Sequence, residues 1–422
     1  MSLAGQALGK VWIIGGGLAG LSAAIALTAE GVPVELIEGA AQAGGRCRSY
    51  VDPVLGMTID NGNHLVLSGN QAVYRYLNRI GAQARLAGPD KARFDFFDVR
   101  DGHGWVLRPN EGPLAWWVLS QARRVPGTKA ADYLGLVALL NARPDQTIGQ
   151  VMRCEGPLWE RLMQPFLLAA LNTDPVGGSA KLAGAVIRET LARGGRAYRP
   201  RIAEPSLAAA FVDPAVAYLR ANGAVVRLGQ RVKTLGVEDG RVARLTLPDG
   251  DITVGADETV VLATPPWVSQ ALAPEISAPD AFTPIVNAHF KIAPPPGAAR
   301  MVGVIGGTAE WIFAFDDRIS ITVSGAGHLV DLDREVLAER FWRDICVVHG
   351  LQGPPPPWQI VKERRATFDA TPEQDAKRPK AQTAWNNLIL AGDWTDTGLP
   401  ATIEGAIRSG ETAAKLARRP AP

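Results

Sequence analysis

Three glycines near the start of the chain have a spacing that suits phosphate binding. Gly15, Gly17 and Gly20 form a GxGxxG pattern between a strand predicted at Val11–Ile14 and a helix. The first glycine permits a tight turn, the second lets backbone approach a pyrophosphate, and the third lets the helix pack on the strand. The helix directs its N-terminal N–H groups at the phosphates. The predicted contacts in this turn are Gly15, Gly17, Leu18, Ala19 and Gly20.

An acid and an arginine extend this motif. Glu38 ends a second predicted strand, Val34–Ile37, and can accept hydrogen bonds from both ribose hydroxyls of an adenosine. The order of strand, glycines, helix, strand and acid predicts a dinucleotide-binding unit. A short distance later, Gly45 permits close backbone approach and Arg46 can place a guanidinium against a phosphate.

Two further segments supply residues of the types that a flavin site needs. In the loop after Ile59, the chain can run past a flavin ring at Gly62, Asn63 and His64. Near the C-terminus, a predicted strand delivers Gly392 and Asp393, whose carboxylate can accept a ribityl hydroxyl. The helix that begins at Thr402–Ile403 can face the electron-rich N1–C2=O edge of an isoalloxazine ring.

The composition argues against several classes of function. Lys and Arg total 44 against 42 Asp and Glu, so no basic surplus favours nucleic acid. Cys47, Cys154 and Cys346 have no CxxC or metal-site spacing, so we expect no metal and a reducing, cytoplasmic location. The apolar run after Lys10 is interrupted by glycines and is needed as the first strand, so it is not interpreted as a signal peptide. We also expect no membrane span, since no apolar stretch reaches about 18 residues.

The remainder of the chain divides into a helical stretch and a strand-rich stretch. Apolar segments that end in basic residues predict a mainly helical region over 111–201. Alternating apolar and polar residues predict the strands Val225–Leu235, Ile285–Ile292, Met301–Val304, Trp311–Phe315 and Ile319–Ser324. A helix near Arg334–Val348, a strand at Asn387–Ala391 and a helix at Ile403–Leu416 follow. At 422 residues the chain is long enough for two domains.

The motifs GGGLAG, AGGR and AGDWTDTGLPATIEGA together resemble the superfamily of FAD-dependent amine oxidases and phytoene desaturases. A closer similarity, to the hydroxysqualene dehydroxylase branch, rests on DNGNHLVLSGNQAVYRYLNRIG, QPFLLAALNTDP, KERRATFDATPEQ and GDWTDTGLPATIEGAIRSG. The resemblance implies an α/β fold with a discontinuous, Rossmann-like FAD-binding domain, and a substrate domain with a mixed sheet and a helical cap. The implied FAD-binding domain takes residues 1–75, 205–275 and 358–422. The substrate domain takes 76–204 and 276–357, with the cap at about 111–201.

The resemblance also implies roles for individual residues. Val232 would contact the adenine through its backbone, and the glycines, acids and loops described above would hold FAD. The implied reaction is removal of the hydroxyl of hydroxysqualene by reduced flavin, which gives squalene. It needs a proton donor, for which we consider His64 and Asp396, and a pocket that excludes water. The expected pocket residues are Trp116, Trp117, Phe166, Leu167, Leu168 and Trp311.

The motifs do not fix the direction of hydride transfer, so several alternatives stay open. A carotenoid-type desaturase comes first; an amine or porphyrinogen oxidase and a non-catalytic isoprenoid escort protein are weaker alternatives. No ferredoxin-like or nicotinamide-binding domain is evident, so the sequence does not identify the electron donor. An apolar isoprenoid substrate would partition into a bilayer, and Leu114–Leu119, Arg123, Arg124 and Arg193–Arg201 can place the enzyme on the inner face of the cytoplasmic membrane. The alternative is a cap that folds onto its own domain.

Overall fold

The computed structural model describes residues 9–418, so the predicted domain ends at 1–8 and 419–422 lie outside the described residues. The strands, in chain order, are β1 (Val11–Ile14), β2 (Val34–Glu38), β3 (Ser49–Asp52), β4 (Met57–Asp60), β5 (Leu65–Leu67), β6 (Leu86–Ala87), β7 (Phe94–Asp98), β8 (His103–Leu107), β9 (Pro200–Ala203), β10 (Val225–Leu228), β11 (Thr234–Glu238), β12 (Arg241–Leu247), β13 (Gly250–Thr253), β14 (Thr259–Leu262), β15 (Phe282–Phe290), β16 (Met301–Ile305), β17 (Trp311–Ala314), β18 (Ile319–Val323), β19 (Trp358–Phe368) and β20 (Leu388–Leu390). The α-helices are α1 (Leu18–Thr28), α2 (Gln71–Arg79), α3 (Leu136–Leu140), α4 (Ile148–Val151), α5 (Gln164–Leu171), α6 (Ala180–Glu189), α7 (Asp213–Ala221), α8 (Pro266–Leu272), α9 (Arg334–His349), α10 (Pro372–Ala376) and α11 (Ile403–Ala417).

A parallel sheet in the order β10-β2-β1-β14-β20 forms the core of the dinucleotide-binding part. The apolar runs of β1, β14 and β20 are buried, as expected for strands of a parallel sheet that is covered on both faces. Helix α11 packs on α1 so closely that a Cβ at Gly410 would lie 2.3 Å from the Ala19 oxygen. Because these strands come from distant parts of the chain, the predicted discontinuous, Rossmann-like architecture is confirmed.

A second, mixed sheet in the order β19-β15-β18-β17-β16-β7-β8 lies in the part of the chain that was predicted to bind substrate. Its alternating residues separate into two faces. One face, with Ile312 and Ile321, packs in a cluster with Phe341 of α9. The other face carries Phe96, Trp311 and Phe313 and joins a cluster with Trp117 and Leu167 of the cap region. The aromatic face of this sheet and the cap region therefore belong to one buried cluster.

Two boundary predictions were wrong. Strand β19 pairs along β15, so residues 358–368 belong to the substrate sheet and not to the FAD-binding segment that was predicted to begin at 358. The charged KERR stretch interrupts the apolar alternation, so the sequence pattern did not predict this strand. The predicted strand Val225–Leu235 ends at Leu228, because Gly229 takes a φ of +72° and the chain then turns into the antiparallel β11–β13 sheet.

The cap region is less regular than predicted. Trp116–Leu119 and Ala130–Gly135 form only short 3₁₀ helices, and α3 and α4 are short. Helical structure is more continuous later in this region, where a π-helical turn at Trp159–Met163 continues into α5. Among residues 9–418, no helix has both the length and the apolar character needed to cross a bilayer.

Candidate flavin and substrate site

The three glycines of the first turn meet different structural requirements. Gly15 has a φ of +110°, and a Cβ there would lie 2.5 Å from the Ala263 oxygen. A Cβ at Gly20 would lie 1.9 Å from the Gly15 oxygen, so α1 packs too tightly on the turn for a side chain. At Gly17, by contrast, an added Cβ would meet no atom of the described residues within 4 Å beyond its chain neighbours. An open glycine between two packed ones suits the close approach of a pyrophosphate.

Glu38 lies beside this turn at the end of β2. Its Oε2 accepts the Gly16 N–H at 2.6 Å and its Oε1 accepts the Ala40 N–H at 2.7 Å. These backbone bonds fix the position of the carboxylate. Since each carboxylate oxygen can accept more than one hydrogen bond, capacity for ribose hydroxyls remains.

The Gly44–Arg46 segment packs directly on the first turn. Gly44 has a φ of +111° and its N–H donates to the Gly16 oxygen at 2.8 Å. A Cβ at Gly45 would lie 3.4 Å from the Gly17 Cα. The two glycine-rich loops therefore present adjoining backbone, as a pyrophosphate cradle requires.

Arg46 links the N-terminal glycine-rich segment to the C-terminal loop that carries Asp393. Its Nη2 donates to Asp393 Oδ1 at 2.7 Å, and its Nη1 donates to the Ala366 oxygen at 2.6 Å. The Arg46 side chain is 42% accessible although protein surrounds it, whereas that of Asp393 is 8% accessible. Burial opposes the charge of the guanidinium, and Asp393 more than compensates, so the pKa of Arg46 is raised. The accessible part of Arg46 therefore presents a permanent positive charge that can bind an anionic group of a ligand.

A buried arginine that the sequence interpretation missed supports the Asp393 loop. The side chain of Arg378 is fully buried and its Nη1 pairs with Asp375 at 2.9 Å. Its Nη2 donates to the oxygen of Asp393 at 3.1 Å and to that of Thr395 at 2.5 Å. Arg378 therefore sets the backbone of this loop, after which Thr402 caps α11 through a 3.0 Å bond from the Gly405 N–H.

The Gly62–His64 loop lies against the substrate sheet. A Cβ at Gly62 would lie 2.9 Å from Asn287 Nδ2, so a side chain there would displace the Asn287 amide. His64 is enclosed by protein; burial, and next the charge of Arg46, lower the pKa of its imidazole to about 4. His64 is therefore neutral at pH 7, which weighs against an imidazolium acid at this position.

A row of side chains crosses the substrate sheet at a single register, on the face toward the cap. The paired positions run Asn287, Thr322, Trp311, Gly303, Phe96 and Trp105. The first two are polar and the rest are aromatic except for Gly303, where a Cβ would collide with the Phe96 ring at 2.6 Å. We call this set the cross-sheet row. It extends from the Gly62 loop to an aromatic patch in which Phe96 lies 5.4 Å from Trp105 and 5.8 Å from Trp311 between ring centroids.

The polar end of the cross-sheet row is hydrogen-bonded to the flavin-side loop. Thr322 Oγ1 donates to Asn287 Oδ1 at 2.8 Å and accepts from Asn63 Nδ2 at 3.1 Å, while Asn287 Nδ2 donates to the Asn61 oxygen at 3.3 Å. Sequence reasoning missed Asn287 and Thr322. The available signal was a polar residue at every second position of otherwise apolar strands.

The remaining predicted residues are placed as follows. Trp117, Leu167 and Trp311 are buried, and Phe166 and Leu168 are partly buried. Trp116 is 54% exposed with Arg123 over its ring, which corrects the expectation that it lines a closed pocket. Val232 is buried in the loop between β10 and β11, and Asp396 is exposed.

One carboxyl in the substrate sheet stands out. Glu310, just before β17, accepts the Ser324 N–H at 2.7 Å, and burial raises its pKa to about 8. Gly325, the next residue, donates its N–H to Asn172 Oδ1 at 2.7 Å. Asn172 in turn donates to Thr367 Oγ1 at 2.8 Å, one residue from the carbonyl that binds Arg46. Glu310 is thus protonated at pH 7, and Asn172 links the loop that binds it to strand β19.

The described residues therefore fit FAD. Each part of FAD has a matching group in the structure. The fixed acid Glu38 suits the adenosine ribose, and the open Gly17 suits the pyrophosphate. The cation of Arg46 and the capped N-terminus of α11 suit the remaining, flavin-bearing part. No cluster of metal-ligating side chains occurs among residues 9–418, and Cys47, Cys154 and Cys346 are free thiols.

Comparison with known proteins agrees with this geometry. Residues 18–417 match the family model for flavin containing amine oxidoreductase. An oxidoreductase from Methanosarcina mazei superimposes with a TM-score of 0.73 at 16% identity, over 96% of this chain and 100% of its own, which shows the fold.

Two relatives give a narrower assignment. Hydroxysqualene dehydroxylase from Rhodopseudomonas palustris is 52% identical over 96% of this chain and 97% of its own length. The enzyme of the same name from Zymomonas mobilis is 50% identical over 96% of this chain and 98% of its own. The predicted cofactor, FAD, and the predicted oxidoreductase class are confirmed. The chain belongs to the flavin-containing amine oxidoreductases and, within them, to the hydroxysqualene dehydroxylase family.

Proposed function

We propose that this protein reductively removes the hydroxyl of hydroxysqualene and releases squalene. The observation that carries the proposal is identity of 50% or more, along 96% of the chain, to proteins named for this reaction. When bound, FAD supplies the hydride. Of the alternatives, a carotenoid-type desaturase would run the hydride transfer in the opposite direction.

The chain's own residues bind and orient the cofactor. Gly17 and Gly45 offer backbone to the pyrophosphate, and Glu38 accepts the ribose hydroxyls. Arg46 and Asp393 hold the middle of the site together, while the N-terminus of α11 at Thr402 and Ile403 would face the flavin edge that gains negative charge on reduction.

The substrate side excludes water. Loss of an allylic hydroxyl leaves a delocalised cation, which water would trap. The aromatic part of the cross-sheet row and the cap residues Trp117 and Leu167 belong to one buried cluster. Aromatic faces also attract a cation, so this wall suits both the hydrocarbon chain and the charged intermediate.

The leaving hydroxyl needs a proton, and the candidates differ in protonation state. His64 is neutral at pH 7, because its pKa is lowered to about 4, and Asp396 is exposed. Glu310 is buried and carries a proton at pH 7, because burial raises the pKa of its carboxyl to about 8. Since Glu310 also directly precedes Trp311 of the cross-sheet row, we propose it as the proton donor, with His64 and Asp396 as the alternatives.

The substrate suggests association with the inner face of the cytoplasmic membrane. Leu114, Leu119 and Leu134, all in the cap, are each 70% or more exposed, and Arg123 and Arg124 lie in the same region. Apolar side chains with nearby cations suit an anionic bilayer surface. This patch supports a peripheral mode of binding through the cap.

Anaerobic incubation of the photoreduced holoprotein with hydroxysqualene tests the function directly. We expect squalene to form in step with flavin reoxidation. A desaturated product would favour the desaturase alternative, and reduced flavin that persists with unchanged substrate would overturn both.

A further inference from the structure

Two buried polar atoms, one on Trp311 in the cross-sheet row and one on Asn63 in the loop beside it, lack a hydrogen-bond partner among the described residues. Trp311 is 8% exposed and its Nε1 donates to none of them; Asn63 is 9% exposed and its Oδ1 accepts from none of them. Leaving such a donor or acceptor unsatisfied in the interior costs about 1–3 kcal/mol each. A pair of this kind therefore points to a ligand group that supplies both bonds.

Thr322 brings the two atoms into one place. Asn63 Nδ2 donates to Thr322 Oγ1 at 3.1 Å, so Asn63 Oδ1 belongs to the same amide beside Thr322. Trp311 is the direct cross-strand partner of Thr322, and side chains so paired stand on one face with Cβ atoms about 5 Å apart. The residues that carry the unpaired donor and the unpaired acceptor are thus both direct neighbours of Thr322.

The chemistry of the surroundings narrows the ligand group. A hydroxyl can accept from the indole N–H and donate to the amide oxygen at the same time, whereas a carbonyl or an ether can only accept and an ammonium can only donate. The indole and the amide are both neutral, so the two unpaired atoms match a neutral group that donates one hydrogen bond and accepts one. On the far side of Trp311 the row becomes aromatic, where a hydrocarbon chain can lie.

We propose that Trp311 and Asn63 form the subsite that recognises the hydroxyl of an otherwise apolar isoprenoid alcohol. Trp311 Nε1 donates to the hydroxyl oxygen and Asn63 Oδ1 accepts the hydroxyl proton. The backbone of Asn63 continues along the flavin-side loop, so its side chain couples the position of the alcohol to that of the cofactor. This proposal rests on the proposed function, because it concerns the substrate of that reaction.

The test uses the holoprotein with oxidised FAD, which holds no hydride to transfer, so that binding is measured without turnover. Hydroxysqualene and squalene differ in the hydroxyl, and each is titrated while the flavin absorbance spectrum is followed. We expect wild-type protein to bind the alcohol at least about tenfold more tightly than the hydrocarbon, and Trp311→Phe to reduce this ratio to near one. Asn63→Ser, which shortens the acceptor side chain, should reduce the ratio in the same direction.

Trp105→Phe is the matched control. Its Nε1 is also buried without a partner among the described residues, but Trp105 occupies the aromatic end of the row. The ratio should survive this change. A wild-type ratio near one, or a ratio that Trp311→Phe leaves unchanged, would overturn the proposal. Failure of the proposed function would show separately, as no squalene from the reduced wild-type enzyme.

Discussion

Asp393 offers a direct test of how the two ends of the chain hold FAD. Replacing it with alanine removes the carboxylate that accepts the 2.7 Å hydrogen bond from Arg46. We expect the same carboxylate to accept a ribityl hydroxyl of FAD, and a hydrogen bond to a charged group contributes about 1.5–3 kcal/mol. Because Arg46 is 42% accessible, screening places the expected loss in the lower part of that range, about 1.5–2 kcal/mol. The Kd for FAD should therefore rise about 10- to 30-fold.

The assay is titration of apoprotein with FAD, followed by quenching of flavin fluorescence. Asp393→Asn, which keeps an acceptor but loses the charge, should give a smaller rise. The matched control is Asp331→Ala, which removes an Arg–Asp pair of similar length, 2.8 Å, between exposed side chains. A Kd that changes less than about threefold in Asp393→Ala, or an equal change in the control, would refute the assigned role.

The structure supports further tests. Gly17→Ala should fold but retain little FAD, whereas Gly20→Ala should fail to yield folded protein, because its Cβ would lie 1.9 Å from a carbonyl oxygen; flavin content and circular dichroism separate the two results. Glu310→Gln should slow flavin reoxidation by hydroxysqualene about 100-fold or more without changing FAD content, and an unchanged rate in stopped-flow would exclude it as the acid. Leu119→Glu should reduce sedimentation with anionic vesicles about tenfold, while Val237→Glu, an exposed change outside the cap, should not; equal loss in both would reject docking through the cap.

The dinucleotide half of the molecule was predictable because its constraints are local. Gly15, Gly20 and Glu38 lie in one strand–turn–helix–strand unit, where spacing along the chain determines spacing in space. The pairing of Arg46 with Asp393 spans most of the chain and has no such local rule. It could be anticipated only as two motifs that each suit the same ligand, and not as a direct contact.

The substrate half was less predictable because its key features arise from register between strands. Asn287, Thr322 and Trp311 are far apart in sequence and align only when β15, β18 and β17 pair. The irregular cap gave a weak helical pattern for a related reason: its apolar side chains are divided between the core, as Trp117 is, and the surface, as Trp116 is. Amphipathic periodicity does not distinguish these two fates when the helices are single turns.

The polarity of the cross-sheet row has a consequence for turnover. If the alcohol oxygen accepts the Trp311 N–H and the alcohol O–H donates to Asn63 Oδ1, the reaction removes the one group that both atoms bind. Squalene then leaves a buried N–H and a buried carbonyl unsatisfied, as they are without ligand, at a cost of about 1–3 kcal/mol each. The site would therefore bind the alcohol substrate more tightly than the product, which has almost the same shape but is far more apolar. Burial of its whole apolar surface opposes release of a C30 hydrocarbon from an aromatic pocket. Because the reaction removes the hydroxyl that the site binds, the loss of its two hydrogen bonds favours release of the product.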